Sequence, residues 1–484
     1  MLRKPLPLHA ALLTLTLLTA IGLVAGTATA QTTDSQTTDS RTSAPRTGEA
    51  QQPDATDPAT ALTPDASGEP AAPAAAQANE GAAAAPVDNT GQGEGATPAS
   101  ELAEPVQEPR SLPQVNPAAQ GLYVEFGRGV RLQGEDDNFS LTIRGRVQSR
   151  MTVNHDGDET DTFFQVRRAR LVLLGALPRY DLEMYVQLGV GASDLERDAP
   201  VPLRDAVITW TGHRDLSLRV GQMKVPFNRE RIISSSALQL ADRSLSNAEL
   251  NLDRDVGVQL FSNDLFGLDG RLGYQVGIYG GDGRNRIGTG SGMLYVGRIQ
   301  INPFGEFIDS LSEADLTRSR TPRLSIGVAG GYNVGTRRLL STHGGFYQLG
   351  GFDFFHVGGD LIFKWNGLSL QAELLYRGSA DPLRSGEVDG QQIDELARVG
   401  LGYMVQAGYL FASGFEVSGR WSEVLPVADQ RSALVRIGEV HGGLGYYWAS
   451  HNLKLQSDYG IRFTGEELGD LASHEARVQL QFFF

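Results

Sequence analysis

The sequence predicts an all-β protein: a transmembrane antiparallel β-barrel of about 16 strands, preceded by a disordered linker. Three observations lead to this fold class. Apolar and polar residues alternate in short segments from residue 120 to the C-terminus. The connections between these segments are alternately short and long. Only the N-terminus has an apolar run of the roughly 20 residues that a membrane helix needs, and the mean hydropathy of the chain is only -0.22.

The first 30 residues have the features of a cleaved secretory signal. Arg3 and Lys4 form a positive n-region, residues 8–24 are largely apolar, and Ala28 and Ala30 supply an A-x-A cleavage site. A retained membrane anchor is the alternative interpretation. Because no later helical span follows, the signal predicts that the mature chain lies beyond the inner membrane.

Residues 31–119 are predicted to form a disordered acidic linker. They are rich in Ala, Thr, Gln, Pro, Asp and Glu and contain hardly any aromatic or branched aliphatic residue, so they cannot bury enough apolar surface to offset the entropy of ordering. With 13 acidic residues and three arginines, the segment holds most of the formal net charge of -15. A plain spacer is the first interpretation, and a tether that reaches toward the cell wall is the alternative.

The predicted barrel domain extends from residue 120 to residue 484. In 139–153 nearly every odd position is apolar, while Arg144, Arg146 and Arg150 share the even positions. Most segments are near the roughly 9–11 residues that a tilted strand needs to cross the hydrocarbon layer. The predicted strands are 138–154, 162–177, 180–190, 203–211, 216–225, 254–262, 271–280, 293–302, 323–334, 353–366, 368–377, 397–411, 415–424, 437–449, 453–463 and 474–484. A shorter alternating stretch, 122–132, is compatible with a plug, a hairpin or an extra partial strand.

Short turns and long loops alternate along this domain. Long, glycine-rich or charged loops occur at 226–253, 281–292, 335–352, 378–396 and 425–436. Outer-membrane barrels have short periplasmic turns and longer external loops, so the first strand is expected to start in the periplasm. The connection 303–322 is the exception, because it is long although parity makes it periplasmic. Its 306–316 stretch is compatible with a short helix.

A soluble β-sandwich is the alternative explanation for alternating strands. Aromatic residues near the predicted strand ends favour a membrane barrel, because such residues concentrate at membrane interfaces. The chain also ends in an alternating strand, VQLQFFF, whose last residue is Phe484. This ending resembles the signal that the barrel-assembly machinery recognises. We therefore expect a multi-pass β-barrel in the bacterial outer membrane, with lipid and this machinery as partners.

A barrel of about 16 strands encloses a water-filled lumen, whereas one of about eight is filled by side chains. The sequence therefore predicts passive diffusion of small hydrophilic solutes. Selectivity would depend on inward-facing residues and on any loop folded into the pore. The longest connection, 226–253, is the candidate for such a loop, and an external surface loop with solvated charges is the alternative.

Several motifs of the chain resemble those of the phosphate-selective porin O and P family. The matching pieces are 164–171 (FQVRRARL) before Gly175, 220–227 (VGQMKVPF) with Glu230, Ser234 and Ser235, 242–244 (DRS), 253–258 (DRDVGV) and 279–283 (YGGDG). Their order and spacing carry the resemblance over about residues 140–300, with looser agreement to the C-terminus. The resemblance implies a sixteen-stranded barrel, usually trimeric, with the third external loop folded into the lumen.

Basic residues exceed acidic residues on the predicted inner face, and this excess favours anions. Charged residues in a lumen are also often paired for stability. Phosphate itself would need a cluster of Arg and Lys whose donors replace its hydration shell, and lysine is rare in this chain. The predicted pore-lining and selectivity residues are Arg144, Arg146, Arg150, Arg168, Arg170, Arg219, Lys224, Arg229, Arg231, Arg243 and Arg298.

Two functions of other classes are alternatives to a channel. An enzyme would need a nucleophile and a base that converge, but the eight histidines are scattered, and neither His356 nor His441 belongs to a Ser/His/acid arrangement. No metal-ligand cluster, nucleotide-binding loop or nucleic-acid patch is recognisable, and the chain has no cysteine. We expect no catalytic activity, no cofactor, no metal and no nucleic acid. The second alternative is a barrel-anchored structural protein whose linker tethers the outer membrane to the cell wall.

Overall fold

The computed structural model describes residues 121–134, 138–157, 159–191, 194–196, 200–286, 292–427, 431–465 and 471–484. The predicted signal and linker lie outside these residues, as does the tether interpretation that depends on the linker. Among the residues that the structure describes, no helix has the length and apolar character needed to cross a membrane.

The described residues form a closed antiparallel β-barrel. In chain order, the strands are β1 (Gly121–Glu125), β2 (Gly129–Gln133), β3 (Ser140–Asp156), β4 (Glu159–Leu177), β5 (Leu182–Gly189), β6 (Leu203–Trp210), β7 (Ser217–Lys224), β8 (Arg254–Ser262), β9 (Leu272–Tyr279), β10 (Leu294–Ile301), β11 (Arg323–Thr336), β12 (Phe352–Trp365), β13 (Leu368–Gly378), β14 (Leu383–Val388), β15 (Gln391–Leu396), β16 (Gly400–Leu410), β17 (Phe415–Pro426), β18 (Ile437–Ala449), β19 (Leu453–Thr464) and β20 (Leu471–Phe483). The barrel consists of β3–β13 and β16–β20. Each barrel strand pairs with the next, and β20 pairs with β3. All 16 predicted strands are confirmed, with ends that differ by a few residues.

The faces of the barrel strands are reversed relative to those of a soluble protein. In β12, Val357 and Leu361 on the outer face are 54% and 37% exposed, whereas Asp360 and Lys364 on the inner face are 6% and 0% exposed. A soluble fold buries apolar side chains and leaves charged ones in water. An apolar outer surface around a polar interior is instead the arrangement of a barrel surrounded by lipid. The protein is therefore a multi-pass β-barrel whose strands span a membrane.

The short stretch at 122–132 forms a hairpin, which was one of the three expected structures. Strand β1 pairs with β2, and β2 pairs with the first four residues of β3. The remaining edge of β3 pairs with β20, and Gly145 and Phe484 exchange two backbone hydrogen bonds. The phenyl ring of Phe484 lies where a side chain at position 145 would project, so only glycine fits there without a shift. Strand β2 is thus also an extra partial strand, which lies beside the pairing of β3 with β20 that closes the barrel.

The longest external connection, residues 225–253, folds into the barrel and is named L3 below. It contains two short helices, α1 (Arg229–Ile232) and α2 (Leu245–Leu250). The Ser244 side chain caps α2 by accepting a hydrogen bond from the Asn247 N–H. Both ends of L3 pack into an apolar cluster that includes Phe227, Leu250 and Leu375. L3 is therefore an internal segment and not an external surface loop.

The prediction of a short helix over 306–316 is wrong. The stretch consists of successive turns, and its polar groups are hydrogen-bonded in ways that compete with a helix. The Ser312 hydroxyl donates to the carbonyl of Ala314, and the Glu313 N–H donates to the carbonyl of Ala237 in L3. Serine and aspartate favour such local bonds over helix continuation. The connection also enters the barrel and does not lie on the periplasmic surface.

The outer face gives a direct test of membrane contact at Val328, which lies in the middle of β11 and is 59% exposed. Val328→Arg should lower the free energy of unfolding by about 2–4 kcal/mol, because an arginine near the bilayer midplane loses its hydration. Val328→Leu is the matched control and should change it by less than about 0.5 kcal/mol. Urea unfolding in lipid vesicles, followed by tryptophan fluorescence, measures both values. Equal stability of the two variants would contradict the lipid-facing assignment.

Candidate functional site

The 11 residues predicted to line the pore are all buried, and none is more than 5% exposed. They lie in three regions of the barrel interior and do not form one cluster. Arg144, Arg146, Arg150, Arg168 and Arg170 lie on β3 and β4; Arg219, Lys224 and Arg298 lie on β7 and β10; and Arg229, Arg231 and Arg243 lie in L3. The contacts of each group differ.

A β-bulge in β4 turns two successive arginines toward the lumen. Gln148 of β3 lies opposite Arg168 and Ser149 lies opposite Val166, so Arg167 is the extra residue. Its guanidinium reaches Asp242 of L3 at 3.3 Å. Strict two-residue parity had placed Arg167 on the lipid face, and sequence reasoning therefore missed it. An arginine at a lipid-facing position costs roughly 2–4 kcal/mol, so the Arg-Arg pair itself was a signal for a bulge.

Asp242 gathers three arginines around one carboxylate. Arg150 donates to its Oδ2 at 2.5 Å, Arg168 donates to its Oδ1 at 2.7 Å, and Arg167 completes the group named here the arginine centre (Arg150, Arg167, Arg168 and Asp242). The side chains of Arg150 and Arg168 are 3% and 0% exposed, and those of Arg167 and Asp242 are each 11% exposed. Within the centre, positive charge exceeds negative charge by two.

Neighbouring groups hold the arginine centre in position. Arg150 also donates to the side-chain oxygen of Gln479 and to the carbonyl of Ala241. Arg420 donates to the carbonyl of Asp242 at 2.8 Å, and Arg477 forms a separate ion pair with Asp458 at 2.6 Å. Because these contacts come from β3, β17 and β20, they fix the tip of L3 against one wall of the barrel.

The Asp242 carboxyl remains ionised in this setting. Burial alone would raise its pKa, but the charges of Arg150, Arg167 and Arg168 together hold the pKa well below its usual value. A charged Asp242 is therefore the counter-ion of the arginines throughout the pH range of the envelope.

The predicted arginines of L3 serve to hold the loop. Arg229 donates to Asp360 of β12 at 2.8 Å, and Arg298 of β10 donates to the same carboxylate at 2.6 Å. Arg231 pairs with Asp253 at the end of the loop. Arg243 donates to backbone carbonyls within L3. Their charges are therefore balanced by acids or engaged by the backbone and do not join the arginine centre.

The remaining predicted residues lie apart from the arginine centre. Arg144 donates to the carbonyl of Gly127 in the β1–β2 hairpin, and both Arg144 and Arg146 lie over the Phe483 ring. Lys224 donates to the carbonyl of Ile232 at 2.8 Å, and Arg219 lies over Phe261 with 4.8 Å to the ring centroid. Arg170 pairs with Asp194 near the outer end of the barrel. Of the predicted set, the arginine centre thus contains Arg150 and Arg168, while Arg229 and Arg298 meet separately at Asp360.

Asp242→Asn tests the arginine centre by removing the one negative charge that three arginines share. One charge about 8 Å from a passing ion changes the electrostatic energy of that ion in water by ~0.5 kcal/mol. This energy alters the local concentration of the ion roughly twofold. Because anions become favoured and cations disfavoured by this amount each, we expect the anion-to-cation permeability ratio, measured from reversal potentials, to rise roughly fivefold. Asp215→Asn, in a periplasmic turn, is the matched control. An unchanged ratio in Asp242→Asn would show that this carboxylate lies off the conduction path.

Glu196 joins three external connections above the barrel. Its carboxylate accepts hydrogen bonds from Arg284 at 2.9 Å, Arg286 at 3.1 Å and Arg338 at 2.8 Å. Burial would raise the pKa of Glu196, but Arg284 and Arg338 lower it from 4.5 to about 2. The ionised carboxylate therefore links these loops under all ordinary conditions.

The stability contributed by Glu196 depends on pH in a defined direction. A carboxyl with a lowered pKa stabilises the fold fully above its ordinary value of 4.5, and the contribution is lost as the pH falls toward about 2. Pepsin should therefore cleave the external loops of the wild-type protein faster at pH 2 than at pH 4. In Glu196→Gln, cleavage should be fast at both pH values. If pepsin cleaved the wild-type protein as fast as Glu196→Gln at pH 4, the role of this ion pair would be contradicted.

Comparison with known proteins gives one family and several weak structural likenesses. The profile of the family phosphate-selective porin O and P matches residues 141–484, which is more than half of the chain. No protein of curated function matches significantly.

Three solved structures illustrate the weak structural likenesses. An anion-selective porin from Comamonas acidovorans has 13% identity and a TM-score of 0.45, covering 72% of this chain and 100% of its own. The outer membrane channel DcaP of Acinetobacter baumannii has 13% identity and a TM-score of 0.46, and the match covers 73% of this chain and 100% of DcaP. OprB of Pseudomonas putida has 10% identity and a TM-score of 0.47, covering 71% and 94%.

The family profile spans the whole closed barrel, from the second residue of β3 to the last residue of the chain. The barrel interior is polar, L3 lies inside it, and the outer face is apolar, as a channel through the outer membrane requires. The chain therefore belongs to the phosphate-selective porin O and P family and is an outer-membrane porin.

Proposed function

We propose that this porin conducts small anions and that Arg150, Arg167 and Arg168 are its selectivity residues. The observation that carries the proposal is the arginine centre, in which three guanidinium groups share a single carboxylate. The excess positive charge lies in a confined interior with low-dielectric walls, which strengthens its field. Anions are therefore concentrated at this level and cations are repelled.

The chemistry of the centre suits oxyanions such as phosphate. Guanidinium groups bind such anions through several parallel N–H donors, which replace the water molecules that the anion loses. The Ser235 hydroxyl is buried and has no hydrogen-bond partner among the described residues. It lies on the same side of L3, since Gln148 donates to the Ser235 carbonyl and accepts from Arg168. Ser235 is thus a further donor for an oxyanion held by the arginines.

The anion preference comes from the local imbalance at the arginine centre and not from the charge of the whole lumen. On β12 and β13, L3 meets the carboxylates of Asp360 and Glu373. Arg229 and Arg298 lie beside these acids, which balance their charges. Inside the barrel, the excess positive charge that a solute encounters is therefore concentrated at Arg150, Arg167 and Arg168.

We also propose that the porin is a homotrimer inserted by the barrel-assembly machinery. The trimer is the usual assembly implied by the family resemblance. The final strand presents Leu480, Phe482 and Phe484 outward, each 41–50% exposed. Such an apolar, alternating C-terminal strand has the form expected of a substrate of that machinery. Neither partner is required for the selectivity argument.

Conductance measurements in planar bilayers test the proposed function. The purified protein should form ohmic pores with an anion-selective reversal potential in a salt gradient. The double variant Arg150→Gln/Arg168→Gln should lower the anion-to-cation permeability ratio about 30-fold, since each lost charge changes the energies of the anion and of the cation by ~0.5 kcal/mol in opposite directions. Arg214→Gln, a half-exposed arginine in a periplasmic turn, is the control and should leave the ratio unchanged.

Two results would overturn the proposal in different ways. Failure of the wild-type protein to conduct in any salt would contradict a pore. A cation-selective wild-type pore, or a double variant with unchanged selectivity, would contradict the role of the arginine centre.

A further inference from the structure

The periplasmic connection between β10 and β11 does not stay at the membrane surface. Its residues 309–315 (DSLSEAD), named the strap below, are all at most 9% exposed, whereas Phe304 and Ile308 just before them are 50–59% exposed. A connection that only joined two strands would be solvated on most sides. The strap is therefore a segment inside the periplasmic mouth of the barrel.

Contacts with the barrel wall show that the strap reaches across part of this mouth. At its first residue, Lys364 of β12 donates to both the carbonyl and the carboxylate of Asp309. Farther along, the Ser312 hydroxyl lies 2.9 Å from His451 Nε2, in the turn between β18 and β19. Ala314 packs with Leu410 of β16 and Tyr447 of β18. At its last residue, the Asp315 carboxylate accepts a hydrogen bond from the Gly367 N–H in the turn between β12 and β13. The middle of the strap thus reaches the β18–β19 turn, and both of its ends lie on the β12–β13 side.

The strap meets L3 inside the lumen. The Glu313 N–H donates to the carbonyl of Ala237, and the Glu313 carboxylate accepts from the Gln239 N–H at 2.8 Å. Leu311 packs against Ile233 and Leu238 of L3. The Gln406 side chain of β16 also donates to Glu313 at 2.8 Å. L3, which enters from the outside, and the strap, which enters from the periplasm, are therefore joined by hydrogen bonds of backbone and side chain.

The two segments cover only one side of the periplasmic half of the lumen. Five inward side chains beneath them are at most 1% exposed: Lys364, Gln406, Glu416, Lys454 and Gln456. On the other side, at a similar distance from the periplasmic strand ends, four inward side chains are 5–8% exposed: Thr209, Arg219, Gln275 and Gln300. Gln259 of β8 is the exception on that side at 1%, because the Tyr279 hydroxyl packs on it and donates to its side-chain oxygen. At the arginine centre, Arg167 and Asp242 keep 9% and 8% exposure. The more exposed inner wall therefore runs from the arginine centre across β6–β10.

We propose that the strap is the periplasmic half of the pore constriction and that, with L3, it confines solutes to the wall formed by β6–β10. This inference rests on the proposed function, because it assigns the path by which anions leave the arginine centre. Without the strap, solutes could pass on the β12–β19 side of L3 and avoid the three arginines. Glu313 acts as a positioning residue, since it links the strap to L3 and to β16.

Cysteine accessibility provides the first test, since the natural chain has no cysteine. Gln300→Cys and Gln406→Cys replace the same residue type on the two sides of the lumen. A small sulfonate-bearing thiol reagent should modify Gln300→Cys on the order of tenfold faster, because a fully covered side chain reacts only through local opening. Mass spectrometry of the folded protein in lipid vesicles gives the rates. Equal rates at the two positions, or faster modification of Gln406→Cys, would overturn the assigned path.

Shortening the strap provides the second test. Replacing residues 309–315 with Gly-Ser-Gly should raise the single-channel conductance about twofold and reduce the anion preference, because the covered side of the lumen becomes open to ions. A replacement of 386–392 with the same tripeptide, at the tip of the external β14–β15 hairpin, is the matched control and should change neither quantity. Heat-modifiable electrophoretic mobility confirms that each barrel is folded. A folded short-strap variant with unchanged conductance and selectivity would overturn the proposal.

The first test remains decisive if the short-strap variant does not fold, because both cysteine variants retain the strap. The accessibility rates are also independent of ion selectivity. If the wild-type protein does not conduct but Gln300→Cys reacts faster, the proposed function fails while the assigned path stands. If the wild-type protein conducts anions and the two rates are equal, only the role of the strap fails.

Discussion

The structure depends on one constraint: a sheet within hydrocarbon cannot leave backbone N–H and C=O groups unpaired. Closing the sheet through β20 and β3 meets this requirement for every barrel strand. Closure of 16 strands then creates an interior too wide for wall side chains alone to fill. The inner face is consequently polar, and L3 and the strap occupy part of the space that it surrounds.

Charge pairing, more than apolar contact, holds the inner segments of this barrel. Arg229 and Asp360 attach L3 to β12, Asp242 attaches it to β3 and β4, and Lys364 attaches the strap to β12. A buried charge without a partner is costly, so each segment must meet complementary groups on the wall. Most charges in the lumen are therefore structural. The arginine centre, like the Glu196 cluster of the external loops, has three arginines on one carboxylate, but its arginines lie on barrel strands beside L3.

The fold could be predicted from the sequence because a membrane barrel depends on local patterns. A two-residue period marked all 16 strands, and the alternation of short and long connections assigned their direction. Arg167 could not be placed this way, since a bulge shifts the period by one residue and its position is set by pairing with β3. The course of 306–316 was also missed, because distant residues such as Gln239 and His451 determine it.

From the sequence, the site could be predicted only as a set of inward-facing arginines. Which of these arginines lie close together could not be predicted. Parity identified Arg150 and Arg168, whereas Arg229, Arg231 and Arg243 were predicted only because they lie in the longest loop. Which arginines share one acid and which have their own depends on how L3 folds back across the lumen. Contacts between residues about 75–90 positions apart, such as Arg168 with Asp242, decide this. A single sequence carries no direct signal for such pairs.

The pairing of Gly145 with Phe484 has a consequence for how the protein is made. The first and last barrel strands are partners, and Gln148 and Gln481, 333 positions apart, share a hydrogen bond across that seam. Contacts at such separation form slowly, because a long loop of chain must be ordered before they form. During export the first strand emerges long before its partner exists. The nascent chain must therefore stay unfolded and protected from aggregation until its final phenylalanine has been delivered.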